Sequence, residues 1–279
     1  MRGIPAEIVS ADSRQVYRGL DIGTAKATPA ERARVVHHEI DLVEPDEAYS
    51  VADFRRHALA SLGALGERGG IGILAGGTGF WLRAVTAGID TNALPHDAEV
   101  RATIEERLAG EGVEAVAATL AAVAPGLAHR TDLRNPRRVA RALEIATLRG
   151  DAPLPAPVGY GAPILGLQLV VEAAEHRRRV VDRARAQFDA GLVEEARALR
   201  ERFDPSLPSL SSIGYRESWA YLDGQCSLDE AVAADAQRNV QFARRQATWL
   251  RREPALAVVD ATVDPLPDVL ALLEPWLAD

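Results

Sequence analysis

Short apolar runs alternate with helical patterns along most of this chain, and that alternation restricts the fold more than any other feature. Four runs have the length and composition of buried strands, namely residues 7–12, 38–43, 70–75 and 164–171. A last strand is predicted at 256–261, before a closing helix that ends near Trp276. Because helices separate most of these strands, the sequence predicts an α/β protein with a mostly parallel sheet flanked by helices.

The strand pattern stops in the middle of the chain. Residues 97–150 are helical throughout, and a stretch rich in Pro and Gly follows at 148–163. We therefore expect a helical insertion at 97–156 within an α/β core made of residues 1–96 and 157–279. Beyond it, a helix over 173–203 is expected to face the core with Val181, Ala184, Phe188, Leu192, Ala196 and Leu199.

Composition narrows the class of protein. The 279 residues are 47% hydrophobic and carry a net charge of −8, which argues against a protein that coats nucleic acid indiscriminately. The single cysteine, Cys226, excludes an internal disulfide and a cysteine-rich zinc site. No apolar run is long enough to span a membrane and no secretory signal is recognisable, so a cytoplasmic location is the expectation.

The stretch "EIVSADSRQVY" at 7–17 changes abruptly from apolar to polar, as at the carboxyl end of a parallel strand. Ligands of open α/β sheets collect at such ends, so Asp12 is a candidate base or metal ligand. Asp12 and Ser13 could equally cap a following helix, since Asp and Ser are favoured there.

A second candidate is "ILAGGTGFW" at 73–81, a strand that enters a glycine-rich turn and then a helix. Glycines let backbone approach a ligand, and the amides of a helix start favour anions. Tight turns also use glycine for steric reasons alone, and this interpretation is favoured. Thr78 is the candidate side chain of the turn.

Two arginine-rich helices could contact phosphates. In "DLRNPRRVARALE" at 132–144, four arginines recur at intervals of three and four and form one stripe, namely Arg134, Arg137, Arg138 and Arg141. A solvated helix face paired with acids such as Glu144 explains the stripe equally well.

The other helix, "AQRNVQFARRQATWLRR" at 236–252, has five arginines and no acid. At 100° per residue its core face would hold Val240, Ala243, Ala247 and Leu250, and its outward face Arg238, Arg245, Trp249 and Arg252. Guanidinium and indole planes can stack on unpaired bases, which favours an RNA contact over a simple surface helix.

Six ordered motifs carry a resemblance to one family. "SADSRQVYRGLDIGTAK", "AYSVADF", "GGTGF", "RRVARALE", "SIGYRE" and "RNVQFARRQATWLRR" resemble, in this order, the motifs of bacterial tRNA dimethylallyltransferases. The resemblance covers Glu7 to Arg252. It implies a P-loop NTPase-like, nucleotide-binding α/β core with a helical insertion that contacts tRNA.

The resemblance also implies a reaction and its partners. The family transfers a dimethylallyl group from dimethylallyl diphosphate to N6 of adenosine 37, beside the anticodon of tRNAs that read codons starting with U, with help from Mg²⁺. The expected partners are a tRNA anticodon stem-loop and the diphosphate donor. We expect a monomeric enzyme with no membrane contact and no protein residues assigned as metal ligands.

Residue roles follow from the same resemblance. Asp12 matches the general base that faces the adenine amine, and Arg183 matches an arginine that binds the diphosphate. The remaining matches are to tRNA-binding positions: Ser13, Arg14, Gln15, Thr78, Arg137, Arg138 and Arg141, with Arg238 and Arg245 added from the second arginine-rich helix. Gln187 and "RTDLRN" depart from the family pattern.

The family begins with a strand, a P-loop and a helix ahead of "SADS", and the sequence has only "MRGIPA" before Glu7. We expect the first strand, the P-loop and the first helix to be absent, with neighbouring strands left unpaired and apolar faces exposed. Lys26 is not expected to replace the P-loop lysine, and the chain expressed alone is expected to prenylate tRNA poorly.

Two other functions remain open. A prenyltransferase that acts on free adenine nucleotides would share the core, although such a substrate needs neither the insertion nor the arginine stripes. A non-catalytic tRNA-binding protein would bind tRNA in a salt-sensitive way and release no product. A P-loop kinase is a distant third, because no phosphate loop is recognisable.

Overall fold

The computed structural model describes residues 3–88, 94–153, 156–253 and 256–278. It contains five strands, namely β1 (Ala6–Ser10), β2 (His37–His38), β3 (Ile71–Ala75), β4 (Gly166–Val170) and β5 (Leu256–Asp260). They form a three-stranded sheet in the order β2-β1-β3 and a two-stranded sheet of β4 and β5. All of these pairings are parallel, with Ile8 opposite Ile73 and Gln168 opposite Val258. The predicted α/β class with a parallel sheet is confirmed.

Helices make up most of the remainder. They are α1 (Pro29–Arg34), α2 (Val51–Glu67), α3 (Gly79–Arg83), α4 (Ala98–Val123), α5 (Pro125–Arg130), α6 (Pro136–Arg149), α7 (Ala173–Asp189), α8 (Leu192–Arg202), α9 (Tyr215–Leu222), α10 (Leu228–Leu250) and α11 (Leu266–Ala278). A π-helical turn spans Ala84–Gly88 and a 3-10 turn spans Pro208–Ser211. None of the helices in the described ranges is long and apolar enough to cross a membrane.

The chain divides into two compact units. One comprises Met1–Thr86 and Gly159–Asp279 and carries both sheets; the other is Ala87–Val158. The division falls at 86/87 and 158/159, whereas the sequence places it before 97 and after 156. Leu154 and Pro155, in the predicted return linker, lie outside the described residues.

One core of the larger unit lies under the three-stranded sheet. Alternate residues of a strand point to opposite faces, and Val9 of β1 points to the face that α2 and α3 cover. There the rings of Phe54 and Trp81 stack with centroids 4.3 Å apart. Ser50 and Asp53 form a capping box that fixes the start of α2. This packing holds the carboxyl ends of β1 and β3 in place.

A second core of this unit lies among α7, α8, α9 and α10, with Phe188, Leu192 and Tyr215 at its centre. The sequence predicts a single helix over 173–203, and this was wrong. The helix ends at Asp189, and Gly191 adopts a left-handed φ of 103° before α8 begins, a conformation that glycine tolerates. Val180 is buried and Val181 is exposed, so the predicted core position was off by one residue, or 100° around the helix.

Both sheets have open edges within the described ranges. There β3 pairs only with β1, and β4 only with β5. Ile73, Leu169 and Val258 are each about half exposed or more. Open edges and exposed apolar side chains therefore accompany these strands in the described residues. The strand predicted at 38–43 is shorter than expected, because pairing with β1 stops at His38 and Glu39 and Asp41 adopt positive φ values.

The smaller unit has its own helical core. Val116, Leu120, Val139 and Leu143 pack together between α4 and α6. The predicted uninterrupted helix was wrong, because Gly112 with φ 83° kinks α4 and two short connections separate α4, α5 and α6. Consistent with the expected absence of strands, the described residues of this unit form helices and turns.

Candidate active site

The carboxyl ends of β1 and β3 bring the first two candidate side chains together. Ser10 lies opposite Ala75 in the parallel register, so the loops that follow run side by side. The Ser13 amide donates to Thr78 Oγ1 at 3.2 Å, and the Thr78 amide donates to the carbonyl of Ala11 at 3.2 Å. Parallel strands thus place Asp12, Ser13 and Thr78 at one edge of the sheet.

The glycines of the "GGTG" turn are required by close packing. A Cβ on Gly77 would overlap the amide of Gln246, and a Cβ on Gly79 would overlap the indole of Trp249. Gln246 Nε2 also donates to the carbonyl of Gly77 at 3.1 Å. These contacts seat α10 against the turn, so the steric interpretation accounts for the glycines without a bound phosphate.

A cavity of about 750 Å³ opens beside this turn. Its walls come from the loops after β1 and β3, from residues 23–25 and 211–213, and from α7 and α10. The charged side chains that line it are one carboxylate, Asp12, and five guanidinium groups, those of Arg14, Arg179, Arg183, Arg238 and Arg245. This volume is in the range of small-molecule sites, and the charge suits an anionic ligand.

Asp12 is the one carboxylate among the residues that line the cavity. Burial raises the pKa of its carboxyl group above the ordinary value, against the opposing effects of the Arg14 and Gln15 amides and of the Arg14 charge. The Arg14 amide donates to Oδ1 at 2.8 Å, which closes a local turn. Residues 13–16 form turns and Tyr17 forms an isolated bridge with Val43, so no helix follows Asp12 and the alternative prediction of a helix cap was wrong. A carboxylate with a raised pKa is a stronger proton acceptor than an exposed one.

Arginines of α7 and α10 face Asp12 across the cavity. Arg183 donates to Asn239 Oδ1 at 3.3 Å, and Arg238 donates to the buried carboxylate of Glu217 at 2.5 Å. The guanidinium of Arg245 lies 5.6 Å from the ring centroid of Phe242. Arg183, Arg238 and Arg245 therefore share one cavity, as the sequence-based assignments to ligand binding require. Arg245 is exposed, as predicted, whereas Arg238 is half-buried and pairs with Glu217.

Trp249 was also predicted to face outward, and this was wrong. Its indole packs on Gly79, and the guanidinium of Arg83 lies 5.3 Å from its ring centroid. Ala247, assigned to the core face, is exposed. The prediction of which side chains face the core failed because the C-terminal half of α10 packs against the "GGTG" turn and lines the cavity, whereas its N-terminal half packs in the core.

The donor set does not favour a protein-held Mg²⁺ in this cavity. Mg²⁺ prefers carboxylate, phosphate and water oxygens. Asp12 is the one carboxylate among the lining residues, and no group of three metal-ligating side chains occurs within the described ranges. The arginines are the groups that fit the charge of a phosphate ligand.

Comparison with known proteins identifies the family of this chain. A family model described as "IPP transferase" matches residues 15–253. The chain belongs to the IPP transferase family. A tRNA dimethylallyltransferase of Bordetella avium is 42% identical over 92% of the chain and 85% of that protein. One of Anaeromyxobacter sp. (strain K) is 42% identical over 98% of the chain and 91% of that protein.

Solved structures give the same result. The tRNA isopentenylpyrophosphate transferase of Bacillus halodurans aligns with a TM-score of 0.69 and 34% identity, over 98% of this chain and 87% of that one. A eukaryotic dimethylallyltransferase acting on tRNA aligns with a TM-score of 0.79 at 21% identity, over 98% of this chain and 73% of that one, and supports the fold. The mixed α/β fold with a small parallel sheet is thus the fold of IPP transferases.

One wall of the IPP transferase cavity depends on Glu195, a residue that sequence reasoning missed. Its carboxylate accepts hydrogen bonds from the Ile22 amide at 2.8 Å, the Gly23 amide at 3.1 Å and the Tyr215 hydroxyl at 2.7 Å. Burial raises the pKa of Tyr215 far above its ordinary value, so this hydroxyl stays protonated and donates. The signal was present in "DIGTAK" and "SIGYRE", but the sequence does not show that Glu195 joins them.

Lys26 lies behind the same wall. Its side chain is 1% exposed, and Nζ donates to Asp21 and Asp41 at 2.6 Å each and to the Tyr17 carbonyl at 2.8 Å. These three oxygens occupy the ammonium group, so it is not available to a ligand. The expectation that Lys26 does not replace a phosphate-binding lysine agrees with this geometry.

Arg14 and Gln15 brace the cavity wall. Arg14 donates to the Pro208 carbonyl at 2.6 Å and to Ser211 Oγ at 3.1 Å. Gln15 accepts from Ser10 Oγ at 2.8 Å and donates to the Thr24 carbonyl at 3.1 Å. Both side chains position the loop in which they lie, a role that the assignment to tRNA binding did not include.

The other predicted arginines belong to the unit Ala87–Val158. Arg137 and Arg138 are exposed on the first turn of α6. Arg141 donates to the carbonyls of Pro95 and Leu94 and to Glu144, which is fully buried. The stripe predicted from the sequence therefore divides: Arg141 holds its own unit together, while Arg137 and Arg138 face solvent.

Proposed function

We propose that this chain transfers a dimethylallyl group from dimethylallyl diphosphate to N6 of adenosine 37 in tRNAs that read codons starting with U. The observation that carries the proposal is Asp12, a lone carboxylate with a raised pKa in a cavity lined by five arginines. Membership of the IPP transferase family supports the choice of prenyl donor, and the names of the relatives support tRNA as the acceptor.

The arginines account for the departure of the diphosphate. The bond between C1 of the prenyl group and the bridging oxygen breaks, and negative charge develops on the diphosphate. Arg183 and Arg238, held by Asn239 and Glu217, offer guanidinium groups to that charge. The proposal gives the leaving-group charge to arginine, and the presence of one carboxylate and five arginines in the lining supports this.

Asp12 accounts for the proton. The exocyclic N6 forms a bond to C1 and loses one proton as it does so, because the amine is barely basic. A carboxylate within hydrogen-bond reach accepts this proton, and burial makes Asp12 the stronger base. An adenine stacked in an anticodon loop cannot enter a cavity of this size, so the base has to be flipped out.

The test is turnover of the full chain with labelled dimethylallyl diphosphate and tRNA, read as isopentenyladenosine by mass spectrometry of the nucleosides. Asp12→Asn is expected to lower kcat by about 100-fold or more, the usual contribution of a general base. Asp46→Asn is the matched control, because Asp46 is an exposed aspartate outside the cavity. Equal rates for Asp12→Asn and the wild type would contradict the proposal.

Further outcomes of the same experiment distinguish the alternative functions. Tight, salt-sensitive tRNA binding without product would favour a non-catalytic tRNA-binding protein. Efficient competition by AMP against an anticodon stem-loop would favour a free nucleotide as the acceptor. A product found in positions other than 37 would contradict the assignment of the target base.

A further inference from the structure

Two buried carboxylates lie behind the arginines of the cavity. Asp235 of α10 is 1% exposed and Glu217 of α9 is 6% exposed. Glu217 accepts from Arg238 Nη1 at 2.5 Å and from the Gly214 amide at 2.9 Å. Asp235 does not touch an arginine in this way, and its partner is Asn239, one turn further along α10.

Asn239 links Asp235 to Arg183. Its amide nitrogen Nδ2 donates to Asp235 Oδ1 at 3.0 Å and Oδ2 at 3.1 Å, and to the Asp235 carbonyl at 3.2 Å. Its amide oxygen Oδ1 accepts from Arg183 Nη2 at 3.3 Å. An ionised carboxylate only accepts, so Asp235 forces the nitrogen of the amide toward itself and the oxygen toward Arg183.

We propose that Asp235 is a positioning residue that fixes the Arg183 guanidinium at the cavity by setting the orientation of the Asn239 amide. The hydrogen bonds that run from Asp235 through Asn239 to Arg183 are called the relay below, and they do not depend on the identity of the ligand. Only the identity of the anion that Arg183 meets, a diphosphate, rests on the proposed function.

The relay is sensitive to protonation. Burial and the neighbouring Glu217 raise the pKa of Asp235 to about 6, against the effects of Arg183, Asn239 and Arg238. Arg183 faces it from α7, Glu217 from α9, and Arg238 from its own helix. Below pH 6 the protonated carboxyl can donate to the Asn239 oxygen, so the amide is free to turn and Arg183 loses its acceptor. Above pH 6 the ionised form keeps the relay in place.

The first measurement is the Nε–Hε signal of Arg183 in the ¹⁵N-labelled full chain between pH 5 and 8. In the wild type this signal is expected to titrate near pH 6. The titration should persist in Asp12→Asn, which removes the one carboxylate that lines the cavity, and vanish in Asp235→Asn. Asp229→Asn is the matched control on the same helix, since its side chain is 82% exposed and pairs with Arg185.

Asn239→Ala breaks the relay at a half-buried position and serves if Asp235→Asn does not fold. It is expected to abolish the titration while Asp235 is still present. A titration near pH 6 that persists in both Asp235→Asn and Asn239→Ala, or no titration in the wild type, would overturn the proposal.

Kinetics separate positioning from a merely structural role. In Asp235→Asn we expect kcat to fall about 10-fold, the effect of one misplaced charged hydrogen bond, and the Kd for inorganic pyrophosphate to change less than threefold. The small change in Kd is expected because removing a carboxylate strengthens the positive field while the orientation of Arg183 loosens. An unchanged kcat would contradict the role in turnover.

The titration of Arg183 and the formation of product can fail independently of each other. The titration of Arg183 does not need a prenyl donor or tRNA, so it tests the relay even if the chain gives no product. Product formation with no Asp235-dependent titration would leave the proposed function standing and reject the relay.

Discussion

Glu195 gives the sharpest test of how the cavity wall is built. The perturbation is Glu195→Ala, which removes the acceptor of three hydrogen bonds in partly buried surroundings, from the Ile22 and Gly23 amides and the Tyr215 hydroxyl. A bond from the Asp21 amide is exposed and contributes little. At about 1 kcal/mol for each of the partly buried bonds, the wall should lose about 3 kcal/mol of local stability.

The assay is hydrogen exchange of the amides of Ile22 and Gly23 in the full chain. A loss of about 3 kcal/mol corresponds to exchange that is roughly 100-fold faster, since about 1.4 kcal/mol is a factor of ten. Tyr215→Phe removes one donor and should accelerate exchange less than tenfold. Glu195→Gln should have a smaller effect than Glu195→Ala, because an amide oxygen in the place of Oε1 still accepts from the Gly23 amide and the Tyr215 hydroxyl.

Glu194→Ala is the matched control, because Glu194 is the exposed neighbour of Glu195 on the same helix. The reasoning would be refuted if the amides of Ile22 and Gly23 exchanged in Glu195→Ala at rates within threefold of their rates in Glu194→Ala. That result would mean that the loop holds its conformation by other contacts, such as the bond from Gln187 to the Ile22 carbonyl.

Two further predictions concern packing and pH. Gly79→Ala should destabilise the full chain by about 2 kcal/mol, because the added Cβ meets Trp249. Gly110→Ala lies in an open helical position and should stabilise the chain by about 0.5–1 kcal/mol. Urea unfolding measures both changes in the free energy of unfolding. Burial alone would raise the pKa of Glu144, but hydrogen bonds, chiefly from Arg141, hold it below the ordinary value. The carboxylate therefore stabilises the fold above its unfolded pKa and loses this effect as the pH falls, so the gap in urea midpoint between wild type and Glu144→Gln should narrow from pH 7 to 3.5. A constant gap would contradict this assignment.

The sequence predicted the features that follow from the order of the strands, and it missed the contacts between side chains that are distant in the chain. Polar residues after two parallel strands had to meet at one sheet edge, so the local pattern made Asp12 and Thr78 candidates and predicted that their loops lie together, while their roles were implied by the resemblance alone. The roles of Glu195 and Asp235 depend on contacts with residues far away in the chain or on the depth of burial, and periodicity does not report these.

Helix phase was the other source of error. Predicting 173–203 as one helix required a constant 100° per residue across Gly191, whose positive φ interrupts it. In α10 the arginines were predicted to form an outward face that contacts RNA, and the structure places Arg238 and Arg245 in the lining of a cavity. A polar face that lines a concave site has the same sequence pattern as one that faces solvent, so periodicity could not distinguish them.

The acids behind the arginines explain how one cavity can hold an anion and a proton acceptor together. Five uncompensated guanidinium groups would hold the pKa of Asp12 down and make it a poor base. Glu217 and Glu175 bind Arg238 and Arg179 from outside the cavity, and Asp235 acts on Arg183 through Asn239. Burial outweighs the one guanidinium that acts on Asp12, that of Arg14, and the pKa of Asp12 is raised. A diphosphate bound to the arginines would add negative charge near Asp12 and raise its pKa further, so in the proposed reaction donor binding itself would prepare the carboxylate to accept the proton.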